Sequence, residues 1–135
     1  MIHFMKNIDI VRTINSINEH PSIMQKRLPI KILFALKRNL STLTTAGSIY
    51  QDTLSQICEQ YGESIESIFG NVTNQDLQSD INQLLQEECD IDIVKVPESI
   101  INQDSDKYDA LTFEELSAIS FMISDSDDSI GEISV

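Results

Sequence analysis

The stretch DSDKYDALTFEEL, which begins at Asp104, carries acidic side chains at a spacing that suggests calcium binding. A calcium-binding EF-hand loop places oxygen ligands at positions 1, 3, 5 and 12 and a glycine at position 6. If Asp104 is position 1, Glu115 fills position 12, but Asp109 stands at the glycine position. Because that position needs a backbone turn that other residues adopt only at a cost, we expect no calcium site here.

The same stretch has a second interpretation that needs no metal. Thr112 is followed three residues later by Glu115, which is the pattern of a capping box. In a capping box the two residues satisfy backbone N–H groups that are unpaired at the start of a helix. We therefore predict that Thr112 caps a helix from Phe113 to about Ile123.

Patterns that indicate catalysis are missing from the sequence. No two of the four glycines are closer than eight residues, which excludes a glycine-rich phosphate-binding loop. His3 and His20 lack the helical spacing of a metalloprotease, and in the segment DIDIVK Ile93 stands where a metal-dependent nuclease has an acid. We predict no catalytic, metal-binding or cofactor-binding residue, and a protein that is not an enzyme.

Membrane and export signals are also missing from the sequence. The longest apolar run, residues 32–36, is far shorter than the roughly 20 residues that span a bilayer. The first residues lack the apolar core of a signal peptide. Cys58 and Cys89 have no paired metal or redox spacing, so we interpret both as structural side chains in a reducing cytoplasm.

Charge divides the chain into two unlike parts. The net charge is −13, but residues 1–62 carry +3 and residues 63–135 carry −16. Such a field opposes phosphate binding, so we expect no direct contact with nucleic acid. The acidic part could instead meet a basic partner or imitate the charge of DNA.

The main predicted element is a long helix from Pro29 to Gly62. Proline suits the first helical turn and glycine suits the residue after the last turn. Apolar residues recur at alternating spacings of four and three along it, which is typical of a heptad seam. Residues 39–51 hold no charge and many serines and threonines, so a break between Thr44 and Ser48 is an alternative.

The uncharged part of this helix supplies the candidate protein-contact face. An uncharged helical surface about 20 Å long is poorly suited to water, and small residues there would let another helix approach closely. An alternative is that the chain itself covers this face. The predicted contact residues are Leu40, Leu43, Gly47, Tyr50 and Leu54.

Shorter elements should surround the long helix. We predict an amphipathic helix over residues 8–19 and a third helix, capped by Thr73 and Asp76, that ends near Glu87. Residues 89–96 alternate like a strand, with residues 1–5 as the favoured partner and 98–103 as the alternative.

These elements predict an α+β fold that is mainly helical. The long helix forms an antiparallel helical hairpin with short flanking helices and a small two-stranded β element. We expect a single helical domain over residues 1–123, followed by an acidic tail over residues 124–135.

Several short motifs resemble a group of small proteins from tailed bacteriophages. They are LPIK opening the long helix, YG closing it, Leu84-Leu85 before the DIDIVKV strand, and LTFEELSAISFMI near the end. The resemblance covers most of residues 28–123. It implies a viral, non-enzymatic protein with a helical hairpin and a small strand element.

The expected function is therefore protein binding in an infected cell. The leading hypothesis is a virion component or assembly helper, in the host cytoplasm or in the virion, whose partner is a phage structural protein. The alternative is an acidic, DNA-mimicking inhibitor of a host defence or DNA-binding protein. Whether the protein also forms a homo-oligomer is left open.

Overall fold

A computed structural model of the chain describes residues 2–69, 74–101 and 106–124. The fold is mainly helical α+β, as predicted, with a small antiparallel sheet. Within these described residues, four short 3-10 turns join the main elements, at Pro21–Gln25, Ile65–Phe69, Glu98–Ile100 and Ser120–Met122. Those elements are β1 (Ile2–Lys6), α1 (Asn7–Asn18), α2 (Ile30–Gln60), α3 (Gln75–Gln86), β2 (Glu88–Asp92), β3 (Val96–Pro97), α4 (Phe113–Ala118) and β4 (Ile123–Ser124).

Helix α2 is continuous, so the alternative of a break between Thr44 and Ser48 is wrong. Pro29 caps its start and Tyr61 its end, and Gly62 follows with φ +70°, a conformation that favours glycine. The hydroxyls of Thr42 and Thr45 each donate a 3.1 Å hydrogen bond to the carbonyl four residues back. These polar side chains are therefore satisfied along the helix itself.

Helix α1 crosses α2 closely at Gly47, where small residues had predicted a close approach. A Cβ atom added to Gly47 would lie 3.0 Å from the Cδ1 of Ile14. That separation is shorter than an ordinary van der Waals contact between carbon atoms. The absence of a side chain at Gly47 therefore lets Ile14 fit against the helix.

Helix α3 forms the second arm of the hairpin and packs on the C-terminal half of α2. Leu77 is buried together with Leu54 and Cys58 of α2. The Tyr61 hydroxyl donates a 2.7 Å hydrogen bond to Asp80, which raises the pKa of Tyr61. Helices α2 and α3 are therefore joined by a polar contact as well as by their apolar side chains.

The cap of α3 differs from the predicted one. The Oδ1 of Asn74 accepts hydrogen bonds from the backbone N–H groups of Asp76, at 3.0 Å, and Leu77, at 3.2 Å. Asn74 is therefore the N-cap. Asparagine is among the residues preferred at this position, as serine and threonine are. Thr73 lies outside the described residues.

Strand β2 pairs with β1 in an antiparallel ladder, with His3 opposite Ile91 and Phe4 opposite Asp90. The pairing with residues 1–5 is confirmed, but β2 ends at Asp92 and the predicted extension to residue 96 is wrong. Beyond it, the N–H and C=O of Val94 bond to the side chain of Asn39. Val96 then joins β4 in a short parallel pair.

Helix α4 begins with the predicted capping box but is shorter than expected. The Thr112 hydroxyl accepts from the N–H of Glu115 at 3.1 Å, and the Glu115 carboxylate accepts from the N–H of Thr112 at 2.8 Å. The chain leaves the helix after Ala118, because Ile123 pairs with Val96. The predicted acidic tail lies outside the described residues apart from Ser124, so that boundary stays a prediction.

Two hydrophobic clusters share α2. One contains residues of its N-terminal half, such as Ile32 and Leu36, with side chains from α1, β2, β3 and the region of α4. The other contains Tyr50, Leu54 and Cys58 from its C-terminal half. None of the described helices has the length and apolar content needed to cross a membrane.

Candidate protein-contact surface

The predicted contact face of α2 lies mostly inside the protein. Leu43, Tyr50 and Leu54 are buried, and Leu40 and Gly47 are half-buried. Helices α1 and α3 pack against α2, so the alternative in which the chain covers this face describes the observed arrangement. Leu43, Tyr50 and Leu54 are therefore excluded as members of an exposed contact surface.

The opposite side of α2 is exposed and carries large apolar residues. The exposed fractions are 81% for Ile30, 61% for Phe34 and 64% for Ile49. Spacings of three and four place these three residues on one side of the helix together with Lys37, Ser41 and Thr45. We call these six residues, Ile30, Phe34, Lys37, Ser41, Thr45 and Ile49, the outer face of α2.

The outer face results from how apolar and polar residues are distributed around α2. Leucine and isoleucine occupy the side that meets α1, α3 and β2, as the heptad seam predicts. The serines and threonines of the uncharged segment mostly fall on the other side, which faces water. Ile30, Phe34 and Ile49 break that pattern, because burial within this chain does not account for them.

The sheet presents a second distinct surface, which is acidic. Side chains alternate between the two faces of a strand. Ile91 and its partner His3 face the core, whereas Glu88, Asp90 and Asp92 are exposed on the other face. Phe4, 69% exposed, lies opposite Asp90 on this acidic face.

Grooves lie on both sides of α2. The groove between α1 and α2 has a volume of about 300 Å³ and is lined by Val11, Ile14 and Gly47 with polar residues around them. The groove between α2 and β2 has a volume of about 410 Å³. An ion pair between Arg38 and Asp92, with an N–O distance of 3.7 Å, joins α2 to the end of β2.

Glu115, at position 12 of the calcium-like stretch, has structural partners. Glu115 is buried and accepts hydrogen bonds from Lys26, from the Ser22 hydroxyl at 2.6 Å and from the backbone of Thr112. These bonds, that of Lys26 above all, lower the pKa of Glu115 from 4.5 to about 2. They hold the start of α4 against the segment that precedes α2.

Asp109 also joins the segment before α4 to the segment before α2. Its carboxylate accepts from the backbone N–H of Arg27 at 2.8 Å, and its own N–H donates to the carbonyl of Arg27 at 2.8 Å. Asp104, the first position of the calcium pattern, lies outside the described residues. Within residues 2–69, 74–101 and 106–124 there is no group of three or more His, Cys, Asp or Glu that could hold a metal ion.

Two buried asparagines were missed by the sequence reasoning. Asn39 is fully buried, and its amide donates to the Val94 carbonyl at 2.9 Å and accepts from the Val94 N–H at 2.8 Å. Asn7 donates to the Leu84 carbonyl at 2.8 Å. The signal for Asn39 was its position, four residues before the buried Leu43 and three after the buried Leu36.

Burial raises the pKa of the thiols of Cys58 and Cys89, with nearby acids adding to the effect. Both cysteines are free, Cys58 buried and Cys89 half-buried, in accord with a structural role.

Comparisons with protein families, curated proteins and solved structures found no match to this chain.

Proposed function

We propose that this chain is a small, acidic, non-enzymatic protein of a tailed bacteriophage that acts by binding another protein. Its role is that of a virion component or a helper of virion assembly, in the host cytoplasm or in the virion. The observation that carries the proposal is the outer face of α2, with three large apolar side chains exposed on one helix.

The dimensions of the outer face suit a protein partner. At about 1.5 Å per residue, Ile30 and Ile49 lie about 28 Å apart along the helix axis. Single exposed apolar residues are normal on soluble proteins, whereas a contiguous exposed apolar patch is typical of an interaction site, and Ile30 and Phe34 lie next to each other one helical turn apart. Burying such side chains against a partner contributes about 25 cal/mol per Å² of apolar area. The partner that we propose is a phage structural protein that presents an apolar surface.

The experiment is capture of phage proteins from infected cells with the tagged chain. Phe34→Ser combined with Ile49→Ser removes apolar area from the outer face and touches neither buried cluster. We expect these substitutions to reduce capture of a specific phage structural protein more than tenfold while the melting temperature stays near that of the unsubstituted chain. Phe113→Ser is the matched control, because Phe113 is 79% exposed but lies on α4.

The two outcomes of this comparison are distinct. Loss of capture by the outer-face variant, with retention by the Phe113 variant, supports the proposal. Equal capture by both variants, or capture of host proteins alone, contradicts a virion role for the outer face.

The acidic face of the sheet favours a second candidate function, an inhibitor of a host defence or DNA-binding protein. Glu88, Asp90 and Asp92 recur every second residue on one face, so they stand about 6.7 Å apart along the strand. Such a regular row of negative charge could imitate nucleic acid. Salt separates the two candidates, because a charge mimic loses its partner as salt rises, whereas an apolar contact persists.

Capture at two salt concentrations applies this test. One condition is 0.5 M salt and the other is Asp90→Asn combined with Asp92→Asn. We expect the phage structural protein to remain captured through the outer face under both conditions, because the apolar contact persists even where the acidic face adds to the affinity. Loss of a DNA-binding host protein under either condition would favour the inhibitor instead.

A further inference from the structure

The groove between α2 and β2 follows the edge of a strand. Cys89, Asp90 and Ile91 line one side of it, and Thr42, Thr45 and Ile49 line the other. Successive side chains of a strand point to opposite faces, so three consecutive lining residues mean that the groove runs along the edge of β2. Its volume of about 410 Å³ is within the range of ligand-binding clefts, roughly 300–1,000 Å³.

This edge of β2 is open to pairing. Within the described part of the chain, β1 is the one strand that pairs with β2, and the ladder occupies the other edge. A strand edge presents a row of backbone N–H and C=O groups that act as a template for another strand. Extended peptides commonly bind to proteins by adding to such an edge.

We propose that this groove binds an extended peptide segment of a partner protein, which adds to β2 as a third strand and carries Lys or Arg at alternate positions. The basic residues would lie beside Asp90 on the acidic face of the sheet. The residues between them would be small and apolar, because they face Ala46, Cys89 and Ile91.

Charge decides between the possible occupants of the groove. In a second copy of this chain, pairing of the two β2 edges would bring Glu88, Asp90 and Asp92 next to the same acids, and like charges on neighbouring strands are destabilising. The C-terminal tail of this chain carries four acids and no basic residue, so it meets the same repulsion. A basic segment of another protein would be attracted to these acids, whereas a second copy of the chain and the C-terminal tail would both be repelled by them.

The position of Arg38 defines how such a peptide would lie. Its ion pair with Asp92 crosses between α2 and β2 at the C-terminal end of the strand. At the other end, Ile49 and Cys89 border the groove. The peptide would therefore be short, with its apolar residues near Ile49. This inference rests on the proposed function, because it specifies the chemistry of a protein partner.

Short synthetic peptides test the inference directly on the whole chain. We would titrate a set of seven-residue peptides in which Lys alternates with Ala or Val, and measure binding by calorimetry. Two controls use the same composition, one with the order scrambled and one with N-methyl groups on alternate backbone nitrogens. A peptide that adds as a strand needs both the alternation and the free N–H groups.

We expect alternating peptides to bind at least tenfold more tightly than the scrambled and N-methylated peptides. Alternate backbone N–H groups of β2 point away from β1, and the one in the groove, that of Asp90, should exchange more slowly with solvent when the peptide is bound. Equal binding of all the peptides, which indicates charge attraction alone, would overturn the inference, as would binding by none.

Matched substitutions locate the site on the protein. Thr45→Lys places bulk and a like charge in the groove and should abolish peptide binding, whereas Thr44→Lys, on the other side of α2, should leave it unchanged. Asp90→Asn should weaken binding about fivefold, the effect of one exposed ion pair, and Asp52→Asn should not. Retained binding by Thr45→Lys would place the peptide elsewhere.

Failure of this inference can be told from failure of the proposed function. If the peptides do not bind but partner capture still depends on Phe34, substituted alone because Ile49 also borders the groove, the protein-binding function stands and the groove is not the site. If capture is also independent of those residues, the proposed function fails as well.

Discussion

Glu115 illustrates how one acidic residue can resemble a metal ligand and serve another purpose. Its carboxylate completes the capping box of α4 and also accepts from Lys26 and Ser22, which precede α2. Lys26 reaches further, because its ammonium group donates to the carbonyl of Ala110 at 2.6 Å. The same side chain therefore begins a helix and attaches it to the rest of the protein.

The depressed pKa of Glu115 predicts how stability depends on acid. The folded-state pKa of about 2 lies below the ordinary value of 4.5, so the folded chain binds fewer protons than the unfolded chain between those values. The contribution of Glu115 is therefore complete above about pH 4.5 and is lost as pH falls toward 2. Glu115→Gln should lower the melting temperature at pH 7 and flatten its decrease between pH 4.5 and 2.

Thermal unfolding at a series of pH values measures this difference. Glu114→Gln provides the control, since Glu114 is the exposed neighbour of Glu115 in the same first turn of α4. Parallel curves for the unsubstituted chain and the Glu115 variant would show that the carboxylate charge does not contribute to folding.

At the residue scale, local pairings were predictable and distant ones were not. The Thr112 and Glu115 box was identified because both partners lie within one helical turn. The bond between Asn39 and Val94 joins residues far apart in the chain, and neither residue type indicates the other. Lys26 and Glu115 pair across a similar separation.

Gly47 links the residue scale to the element scale, because its missing side chain sets how closely α1 approaches α2. Glycine costs about 1 kcal/mol relative to alanine inside a helix. The Cδ1 atom of Ile14 would lie next to a Cβ added at Gly47. Ile14 borders a groove of about 300 Å³ into which the end of its side chain can shift. Gly47→Ala should therefore raise the free energy of unfolding by up to about 1 kcal/mol.

A larger residue at the same position should have the opposite effect. Gly47→Leu would separate the two helices, and overpacking of this kind costs about 1–3 kcal/mol. Urea unfolding of both variants measures the change, with Ser41→Ala as a control on the side of α2 away from α1. Stabilisation by both variants would show that α1 does not limit the space at Gly47.

Element prediction succeeded where periodicity extended over many residues. The heptad pattern, with Pro29 and Gly62 at its ends, predicted α2 because each turn repeats the same information. The ends of β2 and α4 were misjudged because residues 94–97 and 122–124 are shaped by contacts with each other and with Asn39. The burial of Leu43, Tyr50 and Leu54 within the predicted contact face was left open for a related reason, since periodicity shows that a stripe is apolar but not what covers it.

At the scale of the whole molecule, α2 and α1 connect the two hydrophobic clusters. Ile10 and Ile14 of α1 pack with the cluster around Leu36, whereas Val11 packs with the cluster around Leu54. Each cluster alone covers only part of α2. Neither cluster should therefore be stable after the other is lost.

This arrangement predicts a single cooperative unfolding transition. Leu77→Ala removes a fully buried side chain from the cluster around Leu54, at a cost of about 2–5 kcal/mol. If the clusters unfold together, the slowest amide hydrogens of both should exchange faster by the same free energy, including Leu43 and Ile119 in the other cluster. Hydrogen exchange under native conditions measures this, and continued protection of those two amides in the Leu77 variant would mean that α2 can fray at its C-terminal half while the rest stays folded.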